Sequence, residues 1–518
     1  MHPTRPPLPL WIAVLVAVVS GPVLALAFPG PSIWPLAFVG LALQLVALIG
    51  RRPGGAFLVG FAGALSFYLV LIPWISSFLG GSFGLLSLLP YVALAAFEAV
   101  FWGAAAILIA LAYRWVPRVA PGAIGRILVL PLVVAGLWVL RESITSTWPF
   151  GGFSWGRLAF SQSQSPLDSL FPWIGSAGVS ALVALSTAVV IEGVRVSTRA
   201  TWVRHAAILL VGVAVVMAFP AWQTATTGTM TVAAVQGNSP AGYFTPHNYG
   251  DLLLAQYDAT LPLVQQGVKP DVVVWPEGAT DVDPVTDPRA ATYFDYLSAE
   301  LGAPIVTGDI TTAGDITHNS SIVWQAGEGK TGQYDKRHPV PFGEYVPLRS
   351  VLEPLAPSLI GLIGREYTPG TNSPILDVGG VAVGANICFD IVDDALLQQT
   401  VDGGAQIIFA QSNNADFGTS DESVQQLAIA RIRAMEFGRT VVVISTVGQS
   451  EIVAPDGSAI DSLTPYQPGA MVDEVPLSTA MTPASAAAVP LGWTFGLLGL
   501  AMLIVAGVVG HTKRRPRS

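Results

Sequence analysis

Charge is what this sequence has least of. Only 11% of its 518 residues are charged, where a soluble globular protein carries about 25%, so a single water-soluble body is excluded and much of the chain must sit in lipid. Cysteine is nearly absent. Cys388 is the only one, which rules out an intramolecular disulfide. Histidine is scarce as well, at six. His247 and His318 show no metal-ligand spacing with other donors, so a zinc site is not expected. Basic residues form no cluster in the polar part of the chain, which argues against nucleic-acid binding. A solenoid repeat and long low-complexity tracts are also missing.

Apolar sequence is present in quantity. Hydrophobic residues make up 52%, and the mean hydropathy is +0.57. A membrane-spanning helix needs roughly 20 mostly apolar residues. Candidate spans fall at 9–27, 33–50, 55–77, 84–112, 124–140, 176–194, 205–223 and 487–510, the fourth long enough to tilt or break. The first could instead be a cleaved signal peptide, but further spans follow at once and no small-residue cleavage site is evident.

Basic residues accumulate on the cytoplasmic side of a membrane. Arg5, Arg51, Arg52, Arg114, Arg118, Arg126, Arg195, Arg199 and Arg204 all fall on one side if eight spans are crossed. So does the tail with Lys513, Arg514, Arg515 and Arg517, which suits an anionic lipid surface. Arg141 and Arg157 run against the pattern. Both termini are then cytoplasmic, and the expected location is the cell membrane with multiple passes. Between Ser143 and Ser176, Trp148, Phe150, Phe153, Trp155 and Trp173 lie among Gly, Ser and Pro. Interfacial aromatics account for this; a wall of a lipid-access site is the sharper reading.

The net charge of −9 is unevenly spread. From Thr224 to Ala486 the chain holds 30 of its 34 acidic residues and 10 of its 25 basic ones. The implied domains are 1–223 (seven spans), an outward-facing 224–486, and 487–518 with the last span and basic tail. Within 224–486, short β-branched runs at 230–236, 271–275, 304–308, 319–325, 381–387, 406–410 and 440–446 alternate with helical patterns at 249–267, 288–302 and 421–438. Strands apolar on both faces imply a sheet covered by helices, in an α/β or α+β domain.

Candidate chemistry sits where these strands end. DVVVWPEG places Glu277 just past one strand, and VAVGANICFD places Cys388 at the end of another. Between them, YDKRHPVPFGEYVP carries Lys336 and Glu344. A thiol near pKa 8.5 needs a base to ionise, which a carboxylate can supply. An ammonium can stabilise the thiolate and an oxyanion. Each residue has a plainer reading: Cys388 as packing, Glu277 as a loop acid, Lys336 as part of a surface cluster, Glu344 as a partner of Arg349. A thiol protease pairing Cys388 with His338 leaves Glu277 idle. A transporter reading meets spans almost free of charge, with Glu98 and Glu192 the main exceptions.

Order and context favour one arrangement. WPEG, DKRHPVPFGEYVP, NICFD and QLAIARIRAMEFGR together resemble the nitrilase superfamily, and with seven spans before and one after, the chain resembles the apolipoprotein N-acyltransferase family. VPFGEYVPLR and VQGN (Val235 to Asn238) are similar to that family in particular. The resemblance implies an outer α-β-β-α sandwich, with Glu277 as general base, Lys336 as oxyanion and thiolate stabiliser, Cys388 as nucleophile and Glu344 supporting the lysine. It implies transfer of an acyl chain from the sn-1 ester of a membrane phospholipid, through a thioester, to the N-terminal amine of a diacylated lipoprotein, with no cofactor or metal. A membrane-tethered carbon–nitrogen hydrolase is the alternative, with water as acceptor. Phe389 and Asp390 stand where the family often has Tyr and Glu, and Asp416 where it often has Trp.

Overall fold

The computed structural model describes residues 6–78, 85, 87–197, 212, 218–243, 245–355, 357–361 and 363–512. The chain divides into two compact units, 1–221 with 486–518, and 222–485.

The first unit is helical. Among the described residues, five helices are long and apolar enough to cross a membrane: Pro53–Leu71, Leu88–Val119, Gly125–Thr145, Asp168–Val196 and Pro490–Thr512. Leu10–Ala25 and Leu36–Leu48 are apolar but shorter. The candidate span at 205–223 lies largely outside the described residues. The fourth candidate does not break, because Leu88–Val119 is one helix of 32 residues. Small residues let these helices approach closely, as membrane helices commonly do. A Cβ added to Gly136 would stand 2.9 Å from the Cα of Gly499. Charges inside the unit are partnered: Arg126 meets Glu192 at 2.7 Å, and the Arg141 guanidinium stacks over Trp102 and Trp138 beside Glu142. Glu98 is buried and accepts a hydrogen bond from the Tyr68 hydroxyl.

The second unit is built on two six-stranded sheets, one ordered β12-β1-β2-β3-β4-β5 and the other β11-β10-β9-β8-β7-β6. In the first sheet, β1 is Gly228–Gln236, β2 Val272–Val274, β3 Ile305–Ala313, β4 Ile316–Gln325 and β5 Gly329–Asp335. In the second, β6 is Ile375–Val378, β7 Val381–Ile387, β8 Ile407–Ser412, β9 Thr440–Ser445, β10 Glu451–Val453 and β11 Ala459–Ser462. The last strand, β12 (Gly469–Leu477), returns to the first sheet and pairs antiparallel with β1 along its whole length.

Alternation along the strands explains the layers. Side chains on a strand point to opposite faces in turn. Met230, Val232 and Ala234 of β1 join Val383, Ala385 and Ile387 of β7 and Val442 and Ile444 of β9 in one core between the sheets. Ala233 and Val235 point the other way, into a core with Phe294, Leu297 and Leu301 of helix Pro288–Leu301 and with Leu253 and Leu263 of helix Asp251–Gln265. On the second sheet, helix Glu422–Phe437 packs against β9 and β10, and Asp394–Asp402 packs against β7. The result is a layered helix–sheet–sheet–helix body. Helix starts and stops follow their local signals. Asp287 accepts from the Arg289 N–H ahead of Pro288. Gly438, at φ 61°, ends helix 422–437 in the left-handed conformation that glycine adopts without strain.

Candidate active site

Glu277 is placed by close backbone packing. After β2, the chain runs through Trp275 and Pro276 directly beside β3, and a Cβ at Gly308 would lie 2.5 Å from the Pro276 carbonyl oxygen and 2.6 Å from the Glu277 Cα. Only glycine fits there. The carboxylate is then fully engaged: Oε1 accepts from Asn319 Nδ2 at 2.7 Å and Lys336 Nζ at 3.0 Å, and Oε2 accepts from the Asn413 backbone N–H at 2.9 Å.

Lys336 follows the end of β5 and is 1% exposed. Its backbone is pinned on both sides, since its N–H donates to the Asn319 carbonyl and its own carbonyl accepts from Gly370 N–H, each at 2.8 Å. The ammonium lies 3.0 Å from Glu277 Oε1 and 2.9 Å from Glu344 Oε2. Burial works against the charged form, but Glu277 and Glu344 outweigh it and hold the amine well above its ordinary value. Lys336 is therefore a fixed cation. Glu344 is held in turn by the Val340 N–H at 2.7 Å and by Asn319 Nδ2 at 2.8 Å.

Cys388 closes β7 and opens the short 3-10 turn Cys388–Val392. Its φ of 50° lies in the left-handed region, where a side-chain-bearing residue is strained by about 1–3 kcal/mol. What holds it is Asp390, fully buried, which accepts from the Ile387 N–H at 3.2 Å and the Tyr334 hydroxyl at 2.8 Å. Burial pushes the Asp390 carboxyl up to about 6. Phe389, between the two, is partly buried. The Cys388 thiol is raised well above its ordinary value by burial and by the Glu277 charge, while Lys336 pulls it down. As it stands the sulfur is a thiol next to a carboxylate and a permanent cation. That arrangement can pass the proton to Glu277 as a carbonyl carbon is attacked.

The structure thus brings Glu277, Lys336, Glu344 and Cys388 into one electrostatically coupled cluster. His338 is directed elsewhere, its Nε2 paired with Asp393 Oδ2 at 2.7 Å. Sequence reasoning missed Asn319, which ties both glutamates together, and the amides around the cysteine. One signal was available: an asparagine at the start of the expected strand 319–325 is out of character for a strand. Gln426, which opens the string QLAIARIRAMEFGR, donates to the Cys388 sulfur at 3.6 Å and accepts from Asn414, contacts that the string itself did not announce.

The apolipoprotein N-acyltransferase N-terminal domain matches residues 20–189, and the carbon–nitrogen hydrolase domain matches residues 231–482. An apolipoprotein N-acyltransferase of Mycolicibacterium smegmatis is 32% identical, with 95% of this chain and 83% of that protein covered. One of Azotobacter vinelandii is 29% identical, covering 96% of this chain and 95% of that one. Among solved structures, an amidase of the nitrilase superfamily from Nesterenkonia covers 49% of this chain and 94% of its own, at 17% identity and a TM-score of 0.36. With matching domains in both units and a relative aligned along almost the whole chain, this protein belongs to the apolipoprotein N-acyltransferase family.

Proposed function

We propose that this enzyme N-acylates lipoproteins, using Cys388 as nucleophile, Glu277 as proton carrier and Lys336 as the cation that stabilises thiolate and oxyanion. The observation that carries the reading is Lys336 clamped between Glu277 and Glu344 at 3.0 and 2.9 Å beside a single cysteine, in a chain whose relatives are named for this activity.

In the first half-reaction, Glu277 takes the Cys388 proton while sulfur attacks the ester carbonyl of a membrane phospholipid. The tetrahedral oxyanion is held near Lys336. Collapse breaks the ester C–O bond, and Glu277 returns the proton to the departing lysophospholipid oxygen, leaving a thioester. In the second half, the N-terminal amine of a diacylated lipoprotein attacks the thioester. Glu277 accepts a proton from that nitrogen, the C–S bond breaks, and the thiolate recovers the proton as the amide product leaves. Glu344 keeps Lys336 in place throughout.

In this reading the chain crosses the membrane eight times, with both termini cytoplasmic. The helical domain spans 1–223, the catalytic domain spans 224–486 on the outer face, and 487–518 supplies the last span and a basic cytoplasmic tail. Both substrates are anchored in lipid, which requires catalysis at the membrane surface. Cysteine-accessibility labelling of loop positions in a Cys388→Ala background tests the orientation; reagent reaching 224–486 only from the cytoplasmic side would refute it.

Intact mass spectrometry tests the chemistry. Incubation with phospholipid should add one acyl group, absent in Cys388→Ala, and the adduct should clear when a diacylated lipopeptide is added, with triacylated product. An adduct cleared equally fast by water alone would point to a hydrolase.

A further inference from the structure

A second polar cluster reaches Cys388 through Gln426. Glu422 opens helix 422–437 yet is only 2% exposed. Its Oε2 accepts from Asn414 Nδ2 at 2.6 Å, and the same nitrogen donates to Gln426 Oε1 at 3.1 Å. Asn414 Oδ1 accepts from the Ser445 hydroxyl at 2.6 Å. Gln426 Nε2 donates to the Cys388 sulfur at 3.6 Å. These contacts fix the direction of both amides. Asn414 turns its NH2 toward Glu422 and Gln426, and its oxygen accepts from Ser445. Gln426 must then turn its own NH2 toward sulfur, because its oxygen is taken by Asn414.

We propose that Glu422 is a positioning residue that works as a neutral acid, holding Asn414 and through it Gln426 so that an amide N–H is presented to the Cys388 sulfur. This rests on the reading of Cys388 as nucleophile. In the first turn of a helix, the macrodipole ordinarily favours an ionised carboxylate. Here burial wins. It pushes the Glu422 carboxyl up to about 8, the Asn414 hydrogen bond working against it and the Glu277 charge adding to it. The groups facing it are Glu277 from the end of β2, Cys388 from the end of β7 and Tyr466 from the segment before β12. The charge on Glu451 of β10 is already bound by Arg431 at 2.7 Å. Among the described residues, no cation pairs with Glu422. An ionised Glu422 would therefore add a third negative charge, beside Glu277 and Glu344, to the field of the sulfur and oppose the thiolate. Neutral, it adds nothing to that field and supplies orientation alone.

The test uses the full-length protein and a probe that needs no lipid. Cys388 is the only cysteine, so alkylation by iodoacetamide, followed by intact mass, reads its thiolate directly. The ratio of the rate at pH 9 to that at pH 6.5 is expected to be about tenfold larger in Glu422→Gln, which cannot ionise, the effect of about one pKa unit from a nearby like charge. Gln426→Met, of similar volume but without a donor, is expected to slow alkylation about tenfold at both pH values with an unchanged melting temperature. A rate ratio in Glu422→Gln equal to the parent's, or parental alkylation in Gln426→Met, overturns the proposal. Acyl transfer from vesicles of phosphatidylethanolamine and phosphatidylglycerol separates the two claims. Wild-type protein that forms no adduct sinks the acyltransferase reading. An adduct formed at parental rates in both variants sinks this inference alone.

Discussion

Asn319 Nδ2 donates to Glu277 Oε1 at 2.7 Å and to Glu344 Oε1 at 2.8 Å, so one side-chain nitrogen ties together the two carboxylates that also share the Lys336 ammonium. The proposed proton carrier and the proposed support of its cation are therefore held by the same residue. Hydrogen bonds to charged groups contribute about 1.5–3 kcal/mol each. Asn319→Leu is expected to lower the rate of Cys388 acylation by about 10- to 100-fold with the fold retained, as read by adduct formation and circular dichroism. Acylation at the parental rate would show that Lys336 and the Asn413 N–H suffice to place Glu277.

Lys336→Met removes the cation and leaves Glu277 and Glu344 facing each other in a buried site. Breaking a buried pair by deleting one partner costs about 3–5 kcal/mol, and losing an oxyanion donor about 10²- to 10³-fold in rate. Denaturant melts at pH 7 should show the variant unfolding below the parent, and intact mass after incubation with phospholipid should show the acyl adduct lost.

Gly308→Ala tests the placement of Glu277 without touching a polar group. The added Cβ would sit 2.5 Å from the Pro276 carbonyl oxygen, so one of the two strands must shift. Overpacking of this kind costs about 1–3 kcal/mol. The variant is expected to melt lower and to acylate more slowly; a change in melting alone would mean that Glu277 tolerates the displacement.

His338 and Asp393 make part of the stability depend on pH. Burial works against the imidazolium, but the Asp393 hydrogen bond prevails and raises His338 above its ordinary value. A group raised on folding stabilises fully below its unfolded pKa of about 6.5 and loses that contribution as pH rises through the folded value. With side chains 33% and 22% exposed, the pair is worth about 0.5–1 kcal/mol. His338→Gln should thus be less stable than the parent at pH 5.5, and the gap should close by pH 9.

Legibility in the sequence followed burial. β1, β2, β7, β8 and β9 announce themselves as apolar runs because both their faces are covered, and the reactive residues stand at the ends of such runs. Strands β5, β6, β11 and β12 were not read, and all four are sheet edges. β5 reads GKTGQYD and β12 carries Asp473, Glu474 and Pro476, so one solvated edge dilutes the hydrophobic signal. β10, with only three residues, is too short to stand out. At the site, Glu277, Lys336 and Cys388 were legible because each sits in a distinctive local string. Glu422 was not, since a carboxylate opening a helix reads as a solvated first-turn acid, and only the packing of Asn414 and Ser445 over it shows otherwise.

The site is divided between the sheets: Glu277 and Lys336 leave the ends of β2 and β5 in one, and Cys388 leaves the end of β7 in the other. Neither half of the sandwich alone holds both a nucleophile and the means to ionise it. On the proposed roles, ester attack needs both layers in place, so the chemistry belongs to the closed sandwich and to neither sheet by itself.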